Sequence, residues 1–501
     1  MEKYTKPLLL TLFLLATLFV ANSWRVFDYP PHSIHQWRQS DCAAYVKTFY
    51  RTGANVFNPA TYNLAGKEGR VISEFPILYY IAAKIQHVVG EHYWVIRGLT
   101  FLCYVVGLFA LLACVKRWVS DSIYAIFPIV LLATSPYYYY YAINFLPNVP
   151  AISFSFVGLY YYLQYEERKK LLSLCLGTVF FALATALKPT DGGILWIAYL
   201  LTWGINAVIK AYKKVGNPNF LPMILSVAFI ALSILGWVKY VNWYNDQNGN
   251  HQNLIDIFPI WTMDDNLIRY TTLRIKTEWN VHFQQANIVE MLKGLFILYF
   301  ILWWWLDKFL RLLTLFLFIG LGIYAVLWYK AFTDHDYYQL IYVVPFVFLV
   351  ITLMEYFGRI VAPRLSKYAV WGSYGVFIAI LMVSIFHNRN LQYGRYTNPI
   401  FENTNPHLFE IEPYLRSIGI KTTDKVVSVP DSSPNISLNA MNQYGYTEIF
   451  NDTNYNIHTF KAQGACYLII NDTSYLKKPL YKPFIQKKIG EYKGIMVFDI
   501  R

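Results

Sequence analysis

Residues 7–24 read PLLLTLFLLATLFVANSW, an uncharged run of 18 residues that follows Lys3 and Lys6 and runs into Arg25. As an α-helix, such a run is just long enough to cross the apolar core of a bilayer. Ala21 fits the small-residue pattern of a signal-peptide cleavage site poorly, so the run reads as a retained anchor. Further apolar runs centre near Leu108, Pro128, Phe156, Thr178, Tyr199, Ala228, Leu298, Phe318, Phe348 and Ile378. With the first they make about eleven expected spans. The expected fold is therefore an α-helical multi-pass membrane protein.

Composition agrees. The 501 residues are 56% hydrophobic and only 15% charged, where soluble domains average roughly 25% charged. Mean hydropathy is +0.32. The net charge of +13 does not point to nucleic acid, because many basic residues sit in short clusters beside apolar runs, as membrane topology requires. No stretch reads as a nucleic-acid module. The cysteines Cys42, Cys103, Cys114, Cys175 and Cys466 show no CxxC or zinc spacing. Only Cys42 and Cys466 lie outside expected spans on a common side, and cysteine usage does not decide the compartment.

The basic clusters set the orientation. Lys116 and Arg117, Arg168 to Lys170, Lys210 with Lys213 and Lys214, Lys308 with Arg311, and Arg359 with Arg364 and Lys367 fall in alternate loops. Those loops and the amino terminus are expected in the cytoplasm. The opposite side receives a long loop at residues 25–93, short turns near Asn148 and Lys188, a loop at 242–290, the segment 334–338 and the tail. The division is a membrane domain over residues 1–386, including the external loop, and an external domain over 387–501. Within the loop, residues 41–50 and 75–89 carry apolar residues at helical spacing and read as helices lying in the membrane interface. The tail reads as a small α/β domain, with strands at 426–429, 467–470 and 496–498 and helices at 408–418 and 457–463. The five tyrosines 137–141 end a span and suit an aromatic interface belt.

Ionisable residues gather at the external ends of spans. His35-Gln36-Trp37-Arg38-Gln39-Ser40-Asp41 places an acid and a cation just after the first span, and Ser73-Glu74-Phe75-Pro76 adds a second acid. A carboxylate at such a place can act as a general base, and cations there can hold a lipid-bound phosphate. The competing readings are structural: an N-cap for Asp41, a helix-dipole charge for Glu74, a snorkelling arginine for Arg97. Lys188, between Leu187 and Pro189, stands against the positive-inside preference and calls for a phosphate or carboxylate partner. Asp334-His335-Asp336-Tyr337-Tyr338 leads into another span. Two acids around one histidine could ligate a divalent metal, but with no second histidine nearby, sugar or phosphate contact is the stronger reading.

In their order, these motifs resemble the GT-C superfamily of glycosyltransferases. The likeness is greatest to the branch holding protein O-mannosyltransferases and the aminoarabinose transferases that modify lipid A. The matching residues are Trp37-Arg38-Gln39-Ser40-Asp41, Glu74-Phe75-Pro76, Arg97, Leu187-Lys188-Pro189, and His335-Asp336-Tyr337-Tyr338 through Pro345. They cover the chain from its start to about Phe386. The resemblance implies an inverting transfer of a sugar from a polyprenyl-phosphate donor to a hydroxyl of a glycan, lipid or protein, at the external face of a bacterial inner membrane. It implies catalytic roles for Asp41 and Glu74. Arg38, Arg97, Lys188, His335, Asp336, Tyr337 and Tyr338 would bind donor phosphate and substrate. Many relatives have an acid after the proline at the outer start of the fourth span, where this chain has Pro147-Asn148. The rival readings are a lipid-linked-sugar flippase and an inactive scaffold of a glycan-assembly complex. A flippase tends to place its ionisable residues near the bilayer midplane and to show repeated halves; neither feature is seen here. Asp431-Ser432-Ser433-Pro434 follows an expected strand, where a ligand site is the alternative to a plain turn.

Overall fold

The protein is described by a computed structural model over residues 2–213, 220–250, 257–397, 405–452 and 456–501. Lys214 of the basic clusters, and short parts of the 242–290 loop and of the tail, lie outside the described residues. The chain forms two compact units, one of Met1–Val26, Thr100–Trp237 and Asp256–Gly394, the other of Phe27–Leu99, Val238–Ile255 and Arg395–Arg501.

The first unit is helical, and all eleven apolar centres fall on helices. Among the described residues, six helices are long and apolar enough to cross a membrane: Tyr93–Val115, Pro189–Tyr212, Leu221–Gln247, Lys308–Leu327, Asp336–Arg364 and Lys367–Thr397. Thr5–Val20, Ser122–Ala133 and Leu171–Leu187 are apolar but shorter. Helix Ala286–Ile301 has 16 residues, and Asn148–Arg168 carries buried Asn148, Ser153 and Ser155. Length and composition thus support six spans, short of the expected eleven. The outward face of Leu221–Gln247 shows Leu225, Phe229, Leu232 and Leu235 more than half exposed, a surface suited to lipid. Helices Asn148–Arg168 and Leu171–Leu187 are joined by only Lys169 and Lys170. They approach closely at glycines: a Cβ on Gly177 would lie 2.3 Å from the Tyr162 ring, and one on Gly158 2.7 Å from Phe181. Small residues at such contacts let membrane helices pack backbone to backbone.

The apolar run near Pro128 is broken. Helix Ser122–Ala133 ends, and Pro136 opens the short helix Pro136–Ala142, because proline lacks an N–H and disfavours helical geometry in the residue before it. This second helix corrects the reading of the tyrosine run. All five side chains are buried. Tyr137 donates to the Gln339 carbonyl at 3.0 Å and Tyr139 to Ser23 at 2.9 Å. They pack inside the helical unit, where Tyr137, Tyr139 and Tyr141 bond through their hydroxyls, and do not form an interface belt.

In the second unit a five-stranded sheet has the order β2-β1-β3-β5-β4, with β1 Val426–Val429, β2 Gly445–Tyr446, β3 Tyr467–Ile470, β4 Lys488–Tyr492 and β5 Ile495–Asp499. β1 runs parallel to β2 and β3, with Val427 opposite Leu468; β5 is antiparallel to β3 and β4. One face packs on Leu408, Ile411, Leu415, Leu438 and Met441, joined by Ala44 and Tyr62 from the 25–93 loop. The other packs on Ile457, Phe460, Tyr481 and Phe484. Backbone bonds extend the contact: Leu64 donates to the Gly445 carbonyl at 2.8 Å and Gly445 to that of Tyr62 at 3.1 Å.

The two loop helices are Gln36–Thr52 and Ile77–Val89. The first is longer than its expected 41–50, and the side chains from Cys42 through Phe49 are buried. Its buried face packs on helix Ile77–Val89, with Tyr45 stacked on Tyr79 and Phe49 edge-on to Tyr80, while Ala44 joins the sheet's core. Ile77–Val89 keeps an exposed apolar edge at Ile81, Val88 and Val89, as an interfacial helix would. All five cysteines are free.

Candidate active site

Two clusters of functional side chains are present, one in each unit. The first is built on helix Gln36–Thr52, which begins after His35 in a left-handed backbone conformation. Asp41 lies in the second turn and is therefore no N-cap. Arg38, three residues earlier, shares its face, with Nη1 3.9 Å from Asp41 Oδ2. The same guanidinium grips Glu74 through Nη2, bonding both carboxylate oxygens, one at 2.5 Å. Glu74 precedes helix Ile77–Val89 and its Pro76 cap. Its oxygens also accept from Ser73 and, at 2.7 Å, from the Tyr79 hydroxyl. Cys42 Sγ lies 3.1 Å from that same hydroxyl. Arg38 thus bridges two carboxylates in a mostly buried setting, where charge-assisted bonds are strong.

The two acids are driven apart in proton affinity. Burial pushes Asp41 up from 3.8 to about 6, against the Arg38 charge and a bond from Asn435 that favour its ionised form, and with Glu74 and Asp431 adding repulsion. Burial also acts upward on Glu74, but the Arg38 ion pair and the Ser73 and Tyr79 bonds outweigh it and hold Glu74 at about 2. Asp41 is ionised at neutral pH yet basic enough to accept a proton; Glu74 is a permanent counter-ion for Arg38. Burial lifts the Cys42 thiol to about 12, which keeps it un-ionised.

Arg97 is fully buried. Nε donates to the Tyr29 carbonyl at 3.2 Å and Nη2 to that of Pro30 at 3.1 Å. These bonds anchor the chain leading into helix Gln36–Thr52, and they are a structural role that the sequence reading did not assign to Arg97.

The second cluster gathers around Lys188, the single residue between helices Leu171–Leu187 and Pro189–Tyr212. Its ammonium sits 4.8 Å from the centre of the Tyr338 ring, a cation–π contact. Among the described residues no carboxylate forms a direct ion pair with it. His335 stacks on Tyr337 at 5.2 Å, and Tyr337 on Tyr338 at 4.9 Å, so Lys188 and the 335–338 motif are brought together. Asp336 is buried and accepts from the Tyr141 hydroxyl at 2.5 Å. Asp334 is largely exposed and pairs with Arg274 at 3.6 Å. The two acids around His335 therefore diverge, and among the described residues no three His, Cys, Asp or Glu side chains form a group able to hold a metal.

Sequence reasoning missed two residues. Asp191, fully buried in the first turn after Lys188, accepts from Asn148 Nδ2 at 2.5 Å, while its Oδ1 has no partner among the described residues. At Pro147-Asn148, where the sequence departs from the relatives, Asn148 is thus bonded to an acid from helix Pro189–Tyr212. The signal was an acid opening an apolar span, three residues after the singled-out lysine. Asn435 of the tail donates through Nδ2 to Asp41 Oδ1 at 2.8 Å. Nothing in sequence announced it, because it is 394 positions from its partner.

Residues 73–237 match the family model described as dolichyl-phosphate-mannose-protein mannosyltransferase. No curated protein matches the chain in sequence. Among solved structures, ArnT from Cupriavidus metallidurans in the apo state superposes with a TM-score of 0.63 at 11% identity, over 98% of this chain and 97% of that one. The same protein bound to undecaprenyl phosphate gives 0.62 at 12%, over 98% of each chain. The archaeal oligosaccharyltransferase AglB from Archaeoglobus fulgidus, in complex with an inhibitory peptide and a dolichol-phosphate, gives 0.59 at 12%, over 94% of this chain and 69% of that one. The chain is a multi-pass membrane protein with the GT-C fold. It shares that fold with ArnT and AglB along nearly its whole length, and residues 73–237 match the mannosyltransferase model.

Proposed function

We propose that the chain transfers a sugar from a polyprenyl-phosphate donor to an acceptor hydroxyl, with inversion at the anomeric carbon. The observation that carries this reading is the pair of carboxylates on Arg38, with Asp41 held near 6 and Glu74 near 2. Transfer needs one ionised acid that can take a proton, and cations for a phosphate leaving group. Asp41 removes the acceptor proton as that oxygen attacks the anomeric carbon. The bond from that carbon to the phosphate oxygen breaks, and polyprenyl phosphate departs with the electron pair. Glu74 keeps Arg38 in place, and Arg38 keeps Asp41 ionised. Lys188, over the Tyr338 ring and with no direct carboxylate partner among the described residues, is a phosphate contact. The 335–338 aromatics offer faces to a sugar ring.

The family model over 73–237 and the fold shared with ArnT and AglB support the donor class, since those structures hold undecaprenyl phosphate and dolichol-phosphate. The basic clusters support an amino terminus in the cytoplasm and a site on the external face of a bacterial inner membrane. The test is release of labelled sugar from a polyprenyl-phosphate donor by the purified chain in lipid. Transfer to an acceptor establishes the enzyme. Movement of intact donor across the membrane without cleavage would make it a flippase, and neither result would leave a scaffold.

A further inference from the structure

We propose that Asn435, in the α/β part of the chain, is a positioning residue that fixes the Asp41 carboxylate for proton removal. This rests on the reading of Asp41 as base. Asn435 precedes helix Ile436–Met441 at the N-cap position, where asparagine ordinarily caps its own helix. Here its side chain makes no capping bond. Nδ2 donates to Asp41 Oδ1 at 2.8 Å, and Oδ1 accepts from the Asn63 backbone N–H at 3.2 Å. Both ends of the amide are engaged, so its orientation is set: turning it over would face oxygen against carboxylate oxygen and nitrogen against N–H.

The loop beneath Asn435 is built to hold it. Asp431 is buried and accepts four bonds, from the backbone N–H and hydroxyl of both Ser433 and Ser437, at 2.6–2.9 Å. Ser433 Oγ accepts from the Ile436 N–H at 2.9 Å. These bonds satisfy the first N–H groups of the helix and free Asn435 from capping. From the other side, Asn63 Nδ2 donates to the Pro434 carbonyl at 2.7 Å. These bonds hold the 431–437 loop in one conformation, and the carboxylate that Asn435 meets from that loop is Asp41. Arg38 approaches Oδ2 and Asn435 holds Oδ1, which together fix the carboxylate plane.

The charged and titratable groups facing Asp41 are Arg38, Cys42 and Tyr45 from its own helix, Glu74 before the next helix, and Asp431 from the tail. Asn435 adds a donor that favours the ionised form. Removing it must move the acid limb of the pH–rate profile to higher pH.

The experiment measures kcat and KM against pH for the full chain in lipid, for wild type, Asn435→Ala, Asn435→Asp and Asp41→Asn. Asn435→Ala is expected to lower kcat about tenfold to a hundredfold, the usual effect of losing a bond to a charged group. Donor KM stays unchanged and the acid limb moves up. Asn435→Asp keeps the shape and the acceptor for Asn63 but sets a second carboxylate against Asp41, so its limb moves further. It also serves as the folded comparison should the alanine variant be unstable. An unmoved limb at near-normal kcat in either folded variant overturns the proposal. If Asp41→Asn is inactive while the Asn435 limbs stay put, only the positioning role fails; if Asp41→Asn is active, the base reading fails.

Discussion

Replacing Glu74 by glutamine isolates the ion pair at the centre of the site. Glu74→Gln keeps the shape and one acceptor oxygen for Ser73 or Tyr79, but removes the charge that faces Arg38. A carboxyl moved from 4.5 to about 2 favours its ionised form by about 3 kcal/mol, at ~1.4 kcal/mol per tenfold. Its folded value lies below its unfolded value, so this stabilisation is present above the ordinary carboxylate range and lost as pH falls through about 2. The variant should therefore be less stable at pH 7 by about 3 kcal/mol, at the lower edge of what breaking a buried pair costs. Arg38 keeps a second acid at 3.9 Å, which limits the loss. The gap to wild type should narrow as the pH is lowered towards 2. Catalysis gives an independent sign. With Glu74 neutral, Asp41 loses a repelling neighbour and gains the undivided attention of Arg38, so its proton affinity falls and the acid limb moves to lower pH, opposite to the Asn435 variants. Thermal unfolding in detergent against pH, with pH–rate profiles, measures both. A Glu74→Gln protein as stable as wild type at pH 7, with its acid limb unmoved, would show that Glu74 and Arg38 are not coupled to Asp41.

Lys188→Ala should weaken binding of a polyprenyl-phosphate donor, and Lys188→Arg should retain part of it, because charge and the Tyr338 face are both kept; equal affinity in all three removes Lys188 from the phosphate site. Gly177→Ala places a methyl 2.3 Å from the Tyr162 ring and should destabilise the helical unit by about 1–3 kcal/mol, read as a lower melting temperature in detergent; no change would mean the two helices have room to part. Single cysteines at exposed Lys169 and Ser432 should react differently with an impermeant maleimide on intact cells, the second labelled and the first protected; the reverse pattern inverts the proposed orientation.

The sequence was most informative where one residue's chemistry needs no distant partner. Apolar runs located helices at every expected centre, yet hydropathy could not see that Pro136 would split one run, or that Tyr137 to Tyr141 would turn inward to meet Ser23, Gln339 and Asp336. Strands β1 and β3, buried along their whole length, were legible as apolar runs. Edge strand β4, with exposed Lys488 and Glu491, and the two-residue β2 carry no such pattern. Arg38 and Asp41 were readable as a pair because three residues on a helix is a local spacing. Glu74 was found as an acid but not as the guanidinium's partner, a contact 36 positions apart. Asn435 was invisible for the same reason, and Asp191, though an acid opening an apolar span, showed nothing of its bond to Asn148, because only folding brings these partners together.

The central claim is that Asp41 removes the acceptor proton during transfer from a polyprenyl-phosphate sugar. The most direct measurement is turnover of labelled donor by Asp41→Asn beside wild type, with donor binding and folded yield followed in parallel. Asparagine keeps the shape, and its one amide oxygen can still accept from Asn435 with its NH2 turned towards Arg38, but it cannot take the acceptor's proton. Turnover should fall by about 10²–10⁴ while donor affinity and melting temperature hold. A folded Asp41→Asn protein that turns over at near the wild-type rate would contradict the account.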